Sequence, residues 1–540
     1  MAEIIGSVRE RYLYDALNRV IRTRQIDTTS NAIEKVAIYT YRGDDSVATI
    51  TRNAGGVGTS PVGTTTNTYD GLGRLKEIKH KPSRIDSPLI TYGYTFDAAS
   101  RISTFTTPEG KNTLALDATD QLKSASLTKE SYSYDNTGNR TGTGLVTDKG
   151  NRLLSDGKYR YGYDSEGNRT SKFIDADKSG TLTAGDTDIT LSGYDQRNRL
   201  VSVSHVNAWT ATQAGAVAAF TAQGTAVPGS DLELRYTYDY ADRRIRRSMD
   251  ADGLAGVGQA SVSFAAYAGD VRTLEIAQTA TVSAGGRVIG FLGQVVERNF
   301  YGNGEDEILA VDKITWTGTT PTTSTFWTFA DHQGTIRDIV SGNAADRGKV
   351  VEHRQYDSFG KILLRTATLN PGAATLPGSG VGVAFGYTGR PIDEKTGLSD
   401  YRARWYDANT GRFVNEDPSG FAGGDTNLVR YVGNDPLDRV DPSGLTAKWA
   451  GYGGKGSVPA AGWGAYQKGP LMSVSEFSQL SRELPSYAQR SIAAPKSDAQ
   501  SMASATQPES QSSQVSSSQV ALGPISRWLA GKADQSRDKA

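Results

Sequence analysis

The sequence predicts an all-β protein built from a long, coiling antiparallel sheet of stacked hairpins. Three observations carry this. A unit of the form Tyr-Asp-x-x-Gly-x-Arg recurs along most of the chain. The residues before each unit alternate with period two, as in ITYGYTFD (90–97) and KYRYGYD (158–164). The composition is rich in turn and strand formers, with 60 Gly, 26 Tyr and 7 Trp against only 4 Met.

The units run in order as YDALNRV from Tyr14, YDGLGRL from Tyr69, FDAASRI from Phe96, a degraded LDATDQL from Leu116, and YDNTGNR from Tyr134. They continue as YDSEGNR from Tyr163, YDQRNRL from Tyr194, YDYADRR from Tyr238, YDSFGKI from Tyr356 and YDANTGRF from Tyr406. Each reads as strand, turn, strand. Asp starts the turn by accepting from backbone two residues on. Gly, or Asn where Gly is missing (Asn18, Asn198), suits the left-handed position that the hairpin needs. One hairpin cannot bury its own apolar face, so the units must stack. Rows of Tyr then serve either as cross-strand packing or as a platform for carbohydrate.

Charge and composition exclude several classes. Lys and Arg total 59 and Asp and Glu total 59, so the formal net charge is zero, which argues against nucleic acid or an anionic membrane as main partner. There are no cysteines, hence no disulfide and no thiolate metal site. The first twenty residues carry no apolar stretch of signal-peptide type, and no apolar run approaches a membrane span. His80, His205, His332 and His353 are not at metal-ligand spacing and read as packing or surface residues, and the alanine-rich stretch 210–229 reads as an insertion.

Residues 175–186 read DADKSGTLTAGD. Asp175, Asp177 and Ser179 stand at positions 1, 3 and 5 of an EF-hand-type loop, Thr181 offers its carbonyl at 7, Thr183 stands at 9 and Asp186 at 12. Hard oxygen ligands at alternating positions suit Ca²⁺, and Gly180 permits the sharp turn. The flanks read as strands, so the loop is either a structural calcium clamp on a long hairpin or an acidic hairpin tip.

Two identical Asp-Pro-Ser-Gly tetrapeptides follow, at 417–420 and 441–444, the second continued by Leu445. Each fits a type I turn, with Asp at the first position, Pro at the second and Gly at the fourth. If the turns converge, Asp417 and Asp441 can share a proton and work as an acid and base pair; otherwise they are two structural turns.

The stretch from Trp327 to Leu445 carries more specific motifs: WTFADHQGTIRDIV with Asp331, His332, Gly334 and Arg337, then FGYTGRPIDEKTGLSDYRARWYDANTGRFVNEDPSGF, then NLVRYVGNDPLDRVDPSGL. With the Tyr-Asp units, this order resembles the RHS/YD-repeat family and its RHS-associated core, found in polymorphic toxins and Tc toxin C subunits. The resemblance implies a hollow shell whose C-terminal region is enclosed as cargo. It implies aspartyl-protease-like cleavage between Leu445 and Thr446 by Asp417 and Asp441, assisted by Arg404, a residue that by itself reads as a structural ion pair. It divides the chain into a YD-repeat shell (1–310), a core (311–445) and a variable C-terminal region (446–540). An export module, an immunity protein, and secretion or surface display without an N-terminal signal peptide are also implied.

The region 446–540 contains no His and no Cys, which excludes His-metal nucleases and Cys-His hydrolases, and no enzyme is recognisable in it. Ser473 and Glu476 form a capping box for a short helix, and 501–520, rich in Ser and Gln, reads as disordered. The region is thus a small toxin or a remnant. Two other readings of the chain remain: a carbohydrate-binding surface adhesin, and an inert truncated shell.

Overall fold

The computed structural model describes residues 8–27, 33–210, 227, 229–252, 261–282, 288–369, 375–376, 378 and 380–450. These fall in the first of two compact units, Met1–Leu484; the second, Pro485–Ala540, lies outside the described residues, as do the readings made for 451–540 and for most of 210–229. Among the described residues there is no α-helix, only short 3-10 turns, and antiparallel β-structure accounts for the regular backbone, as the repeat predicts.

An eleven-stranded sheet runs from Val8 to Ser131 and a sixteen-stranded sheet from Leu145 to Thr366. In both, each strand pairs with its sequence neighbours, the meander that chained hairpins dictate. Neither sheet closes into a barrel. The second sheet passes through residue 310 without interruption, in the strand Ile308–Thr317. The sheets are separated by a two-stranded ribbon, Ser133–Tyr134 with Arg140–Thr141, so the run is not one continuous sheet. The reason is local: Gly138, Gly142 and Gly144 all take positive φ, and a Cβ on Gly144 would stand 2.6 Å from the Gly157 backbone.

The turns show why the unit reads as it does. Asp15 Oδ1 accepts from the amides of Leu17 and Arg19, both at 2.9 Å, and Oδ2 accepts from Arg19 Nε at 2.7 Å. The same three bonds recur at Asp70, Asp97, Asp195 and Asp239. They recur at Asp148 as well, a turn in TDKGNRL that lacks the tyrosine marking the other units. Asn18 and Asn198 occupy the left-handed region, with φ of 61° and 59°.

The tyrosines are engaged at both ends. Tyr69, Tyr163 and Tyr238 donate their hydroxyls to the backbone of Val47, Leu153 and Leu200. The Arg19, Arg42 and Arg199 guanidiniums cover the rings of Tyr41, Tyr69 and Tyr238 at 4.7–5.0 Å. In these tyrosines one ring face is covered by a guanidinium, as packing requires.

The inner side of the first sheet meets the strands from Val288 to Tyr356 of the second. His80 stacks on Phe329 at 4.8 Å, Tyr92 donates to Asp338 at 2.5 Å, and Lys35 Nζ pairs with Asp312 at 2.5 Å across 277 residues. The apolar core between them includes Val62, Ile90, Phe300, Trp327 and Phe329, each buried completely.

Residues 392–413 form a separate four-stranded sheet: Ile392–Asp393, Leu398–Tyr401, Arg404–Asp407 and Arg412–Phe413. Leu398, Trp405 and Val414 pack on Leu200, Val203 and Leu234 of the long sheet, and Tyr387, Tyr401, Tyr406, Phe413 and Tyr431 form an aromatic cluster. This sheet carries the candidate site.

Candidate functional site

The site assembles on the hairpin Leu398–Tyr401/Arg404–Asp407 and on the two Asp-Pro-Ser-Gly turns. Both turns form: Gly420 N donates to Asp417 O at 2.8 Å and Gly444 N to Asp441 O at 3.4 Å, with both glycines at positive φ. Gly444 also needs to be glycine for space, since a Cβ there would meet Tyr401 O at 2.5 Å.

The turns converge on Arg404. Its Nη2 lies 2.9 Å from Asp417 Oδ2 and 3.4 Å from Asp441 Oδ2, and the three side chains are only 4%, 8% and 4% exposed. The other guanidinium nitrogens bind backbone: Nη1 donates to Leu428 O at 2.8 Å and Nε to Gly444 O. The plane rests on Phe413, 3.6 Å from the ring centroid. Burial pulls Arg404 below the usual guanidinium value, and Asp417 and then Asp441 oppose that pull.

Each carboxylate has a second set of contacts. Asp417 Oδ1 accepts from Ser419 N at 2.8 Å, and Asp417 N donates to Leu428 O at 3.0 Å, so Leu428 O ties the first turn to Arg404. Asp441 Oδ1 accepts from Leu445 N at 3.1 Å and Thr446 N at 3.0 Å. The amide nitrogen of the Leu445–Thr446 bond is therefore held on Asp441. Leu445 O, Asp417 Oδ2 and Ser419 Oγ all face Gly423, at 3.2, 3.0 and 2.9 Å from the point that a Cβ there would occupy. Leu445 is half-buried and Thr446 exposed. All the residues proposed from sequence for this site come together here. Gly423, Phe413 and the Leu428 carbonyl were not foreseen; a lone FAGG after a turn carries no chemical signal until the chain is folded.

Downstream, Lys448–Trp449 pairs with Arg439–Val440, and Ala450 N donates to Asp438 O at 2.7 Å. The segment after the Leu445–Thr446 bond is thereby strapped to the segment before it.

At the second candidate site, the loop 175–186 joins the strands Arg169–Ile174 and Thr187–Tyr194, as the flanks predict. Asp175, Asp177 and Asp186 each bring a carboxylate oxygen within 4.8 Å of the others. Asp186 is fully buried and fixed by Ala176 N and Thr183 N; Gly180 takes φ of 78°. Ser179 Oγ and Thr183 Oγ1 are engaged within the loop, on Thr181 O and Asp177 respectively. Three carboxylates so placed suit a hard cation, and Arg160 pairs with one of them, Asp175, at 3.3 Å.

No family model matches the sequence. Residues of the chain are 36% identical over 118 positions to "Salivary gland surface protein 1" of Aedes aegypti, covering 22% of this chain and 3% of that protein. They are 32% identical over 105 positions to "Double-stranded DNA deaminase toxin A" of Burkholderia cenocepacia (19% and 7%), and 30% identical over 132 positions to "tRNA nuclease WapA" of Bacillus subtilis (23% and 5%). The chain thus matches a small part of each of these long relatives. Among solved structures, TcdB2-TccC3 without its hypervariable C-terminal region aligns over 81% of this chain and 21% of its own, at 15% identity and a TM-score of 0.47. The hairpin meander agrees with the resemblance read from the sequence, and one of these relatives is named a toxin.

Proposed function

We propose that the chain is the shell and core of a secreted bacterial toxin of RHS type, which cuts itself between Leu445 and Thr446 and keeps its C-terminal region as enclosed cargo. The observation that carries this is the convergence on one peptide bond: its nitrogen held on Asp441, its carbonyl oxygen and Asp417 Oδ2 both facing Gly423, and one arginine nitrogen touching both carboxylates.

The chemistry is hydrolysis. One carboxylate of the pair, as base, takes a proton from water as the water oxygen adds to the Leu445 carbonyl carbon, and the other, as acid, donates to the carbonyl oxygen. Collapse of the tetrahedral species breaks the C–N bond, and the base returns its proton to the Thr446 nitrogen. The proton on the former carbonyl oxygen goes back to the acid, leaving a Leu445 carboxyl group and a Thr446 amine. Arg404 braces the pair and offsets the added negative charge.

The test is the purified chain under denaturing conditions. It should run as two fragments, the smaller beginning at Thr446, which co-elute when native. Asp417→Asn and Asp441→Asn should each leave a single chain. Fragments beginning at Pro418 or Pro442 would mark acid scission of Asp-Pro bonds, and an intact wild-type chain would overturn the reading in favour of an inert shell or an adhesin. Export module and immunity protein rest on the family resemblance alone, and glycan binding on the rows of Tyr.

A second reading concerns the loop 175–186, where the three converging carboxylates favour Ca²⁺ as a clamp on the hairpin. Calorimetry should show binding at about 10⁻⁴–10⁻³ M, the range of extracellular modules. Asp175→Ala should abolish it without unfolding the chain; equal binding by that variant would leave the loop as an acidic tip.

A further inference from the structure

The hairpin that carries Arg404 does more than present that arginine. Its turn residues, Arg402 and Ala403, lie between Tyr401 and Arg404, which pair across the strands. Three consecutive residues here hold three consecutive carbonyls of the second Asp-Pro-Ser-Gly turn. Arg402 Nη1 donates to Pro442 O, Ala403 N to Ser443 O at 3.2 Å, and Arg404 Nε to Gly444 O. The turn that leads into Leu445 is thus laid along the hairpin residue by residue.

Arg402 is the link that reaches outside the core. Its φ is 64°, and a two-residue turn with positive φ at its first residue ordinarily has glycine there. The arginine side chain makes use of the position. Its Nη2 lies 2.6 Å from Asp306 Oδ1 and its Nη1 3.2 Å from Oδ2, a fork on one carboxylate. Asp306 stands in the loop between the strands Val288–Tyr301 and Ile308–Thr317 of the long sheet, and Arg390 Nη1 braces the same carboxylate at 3.0 Å. Burial raises Asp306, but Arg390 and then Arg402 bring it below the usual carboxylate range, so it stays charged. The neighbouring Glu305 pairs with Lys448 at 3.0 Å. One loop of the long sheet therefore engages the chain on both sides of the Leu445–Thr446 bond.

We propose that Asp306 and Arg402 are positioning residues for the cut, and that the cut waits until this loop has docked on the core hairpin. Asp306 fixes Arg402, and Arg402 fixes the Pro442 carbonyl. The turn so placed sets Asp441 and the bond after Leu445 against Arg404. Neither residue touches the reacting atoms. They have this role only if the chain cuts itself between Leu445 and Thr446 as proposed.

The test is a time course on the full chain, isolated uncut in urea and diluted into buffer, following the fragment that begins at Thr446. Arg402→Gln should slow its appearance about tenfold to a hundredfold, the size of a small misplacement. The pH profile of the rate should also move to higher pH, since a carboxylate drawn away from a guanidinium ionises less readily. Arg247→Gln is the matched control. Arg247 also joins the long sheet to the core, through Asp393 at 2.8 Å, and its side chain is 21% exposed, as is that of Arg402. Its loss should lower the urea midpoint yet leave the cleavage rate within about twofold and the profile in place. If Arg402→Gln does not fold, Asp306→Asn decides, and it should slow the cut to the same extent. A wild-type chain that stays whole would overturn self-cleavage and this role together. A wild-type chain that cuts, with Arg402→Gln or Asp306→Asn cutting as fast, would overturn the positioning role alone. Equal slowing by Arg247→Gln would also overturn it, by assigning Arg402 to general stability.

Discussion

Gly423 shows how much one missing carbon can do. Its φ is ordinary, so its reason for being glycine is space: a Cβ would press on Ser419 Oγ, Asp417 Oδ2 and Leu445 O, at 2.9, 3.0 and 3.2 Å. Gly423→Ala should slow self-cleavage about tenfold to a hundredfold by shifting Asp417 or the Leu445 carbonyl, with little change in thermal midpoint. A time course of fragment appearance measures this, and an unchanged rate would mean that the added carbon is accommodated without moving either group. Arg404→Lys should fail more completely. An ammonium cannot reach Gly444 O, Leu428 O and both carboxylates at once from the position of a planar fork.

At the scale of the element, the hairpin turn is the working part. Asp97 collects the amides of Ala99 and Arg101 and the Arg101 side chain within five residues. Asp97→Ala should cost about 1–2 kcal/mol, read as a shifted urea midpoint, because two backbone donors lose their acceptor. Asn18 sits at φ of 61°, so Asn18→Gly should be neutral or slightly stabilising, whereas Asn18→Val should destabilise by about 1–2 kcal/mol. Two turns where the unit departs from its pattern bond to the core. Gln121 replaces arginine and accepts from Asn434 at 2.9 Å; Asn139 replaces it and accepts from Asn427 at 2.9 Å and from Arg412 at 2.5 Å. A shorter side chain there leaves room for the core to dock.

For the whole molecule, the two sheets are joined by a charged network as well as by apolar contact. His353, 3% exposed at its side chain, lies between Asp338 at 2.7 Å and Glu109 of the first sheet. Burial opposes its charge, but Asp338 and Glu109 overcome it and push it up to about 9. Glu109 is raised by burial and lowered more strongly by His353, to about 2. The signs follow from linkage. The histidine's contribution is complete below its unfolded value near 6.5 and is lost as pH rises through about 9. The glutamate's is complete above about 4.5 and is lost as pH falls through about 2. His353→Gln should therefore lower the denaturation midpoint most between about pH 4.5 and 6.5, and its difference from wild type should shrink by pH 10. A difference that is flat with pH would assign the histidine to packing alone.

What the sequence determined by itself is whatever lies within a few residues. The Tyr-Asp turn is closed by bonds from one residue to its second and fourth successors, so type, periodicity and turn chemistry place it without reference to the rest of the chain. That local logic yielded the antiparallel meander, the two Asp-Pro-Ser-Gly turns and the hairpin under the loop 175–186. It missed the turn at Asp148, because the tyrosine used to find the repeat marks packing against the previous hairpin, whereas the turn itself needs only the aspartate and its donors. Tertiary structure alone decided which distant groups meet. Lys35 reaches Asp312 across 277 residues, and Arg404 gathers two aspartates from separate turns. The sheet breaks where Gly144 lies on Gly157, and Arg244 is buried between Tyr236 of the long sheet and Trp405 of the core hairpin. Such juxtapositions depend on how twisted sheets curl and on which faces exclude water, quantities summed over hundreds of residues and carried by no single motif.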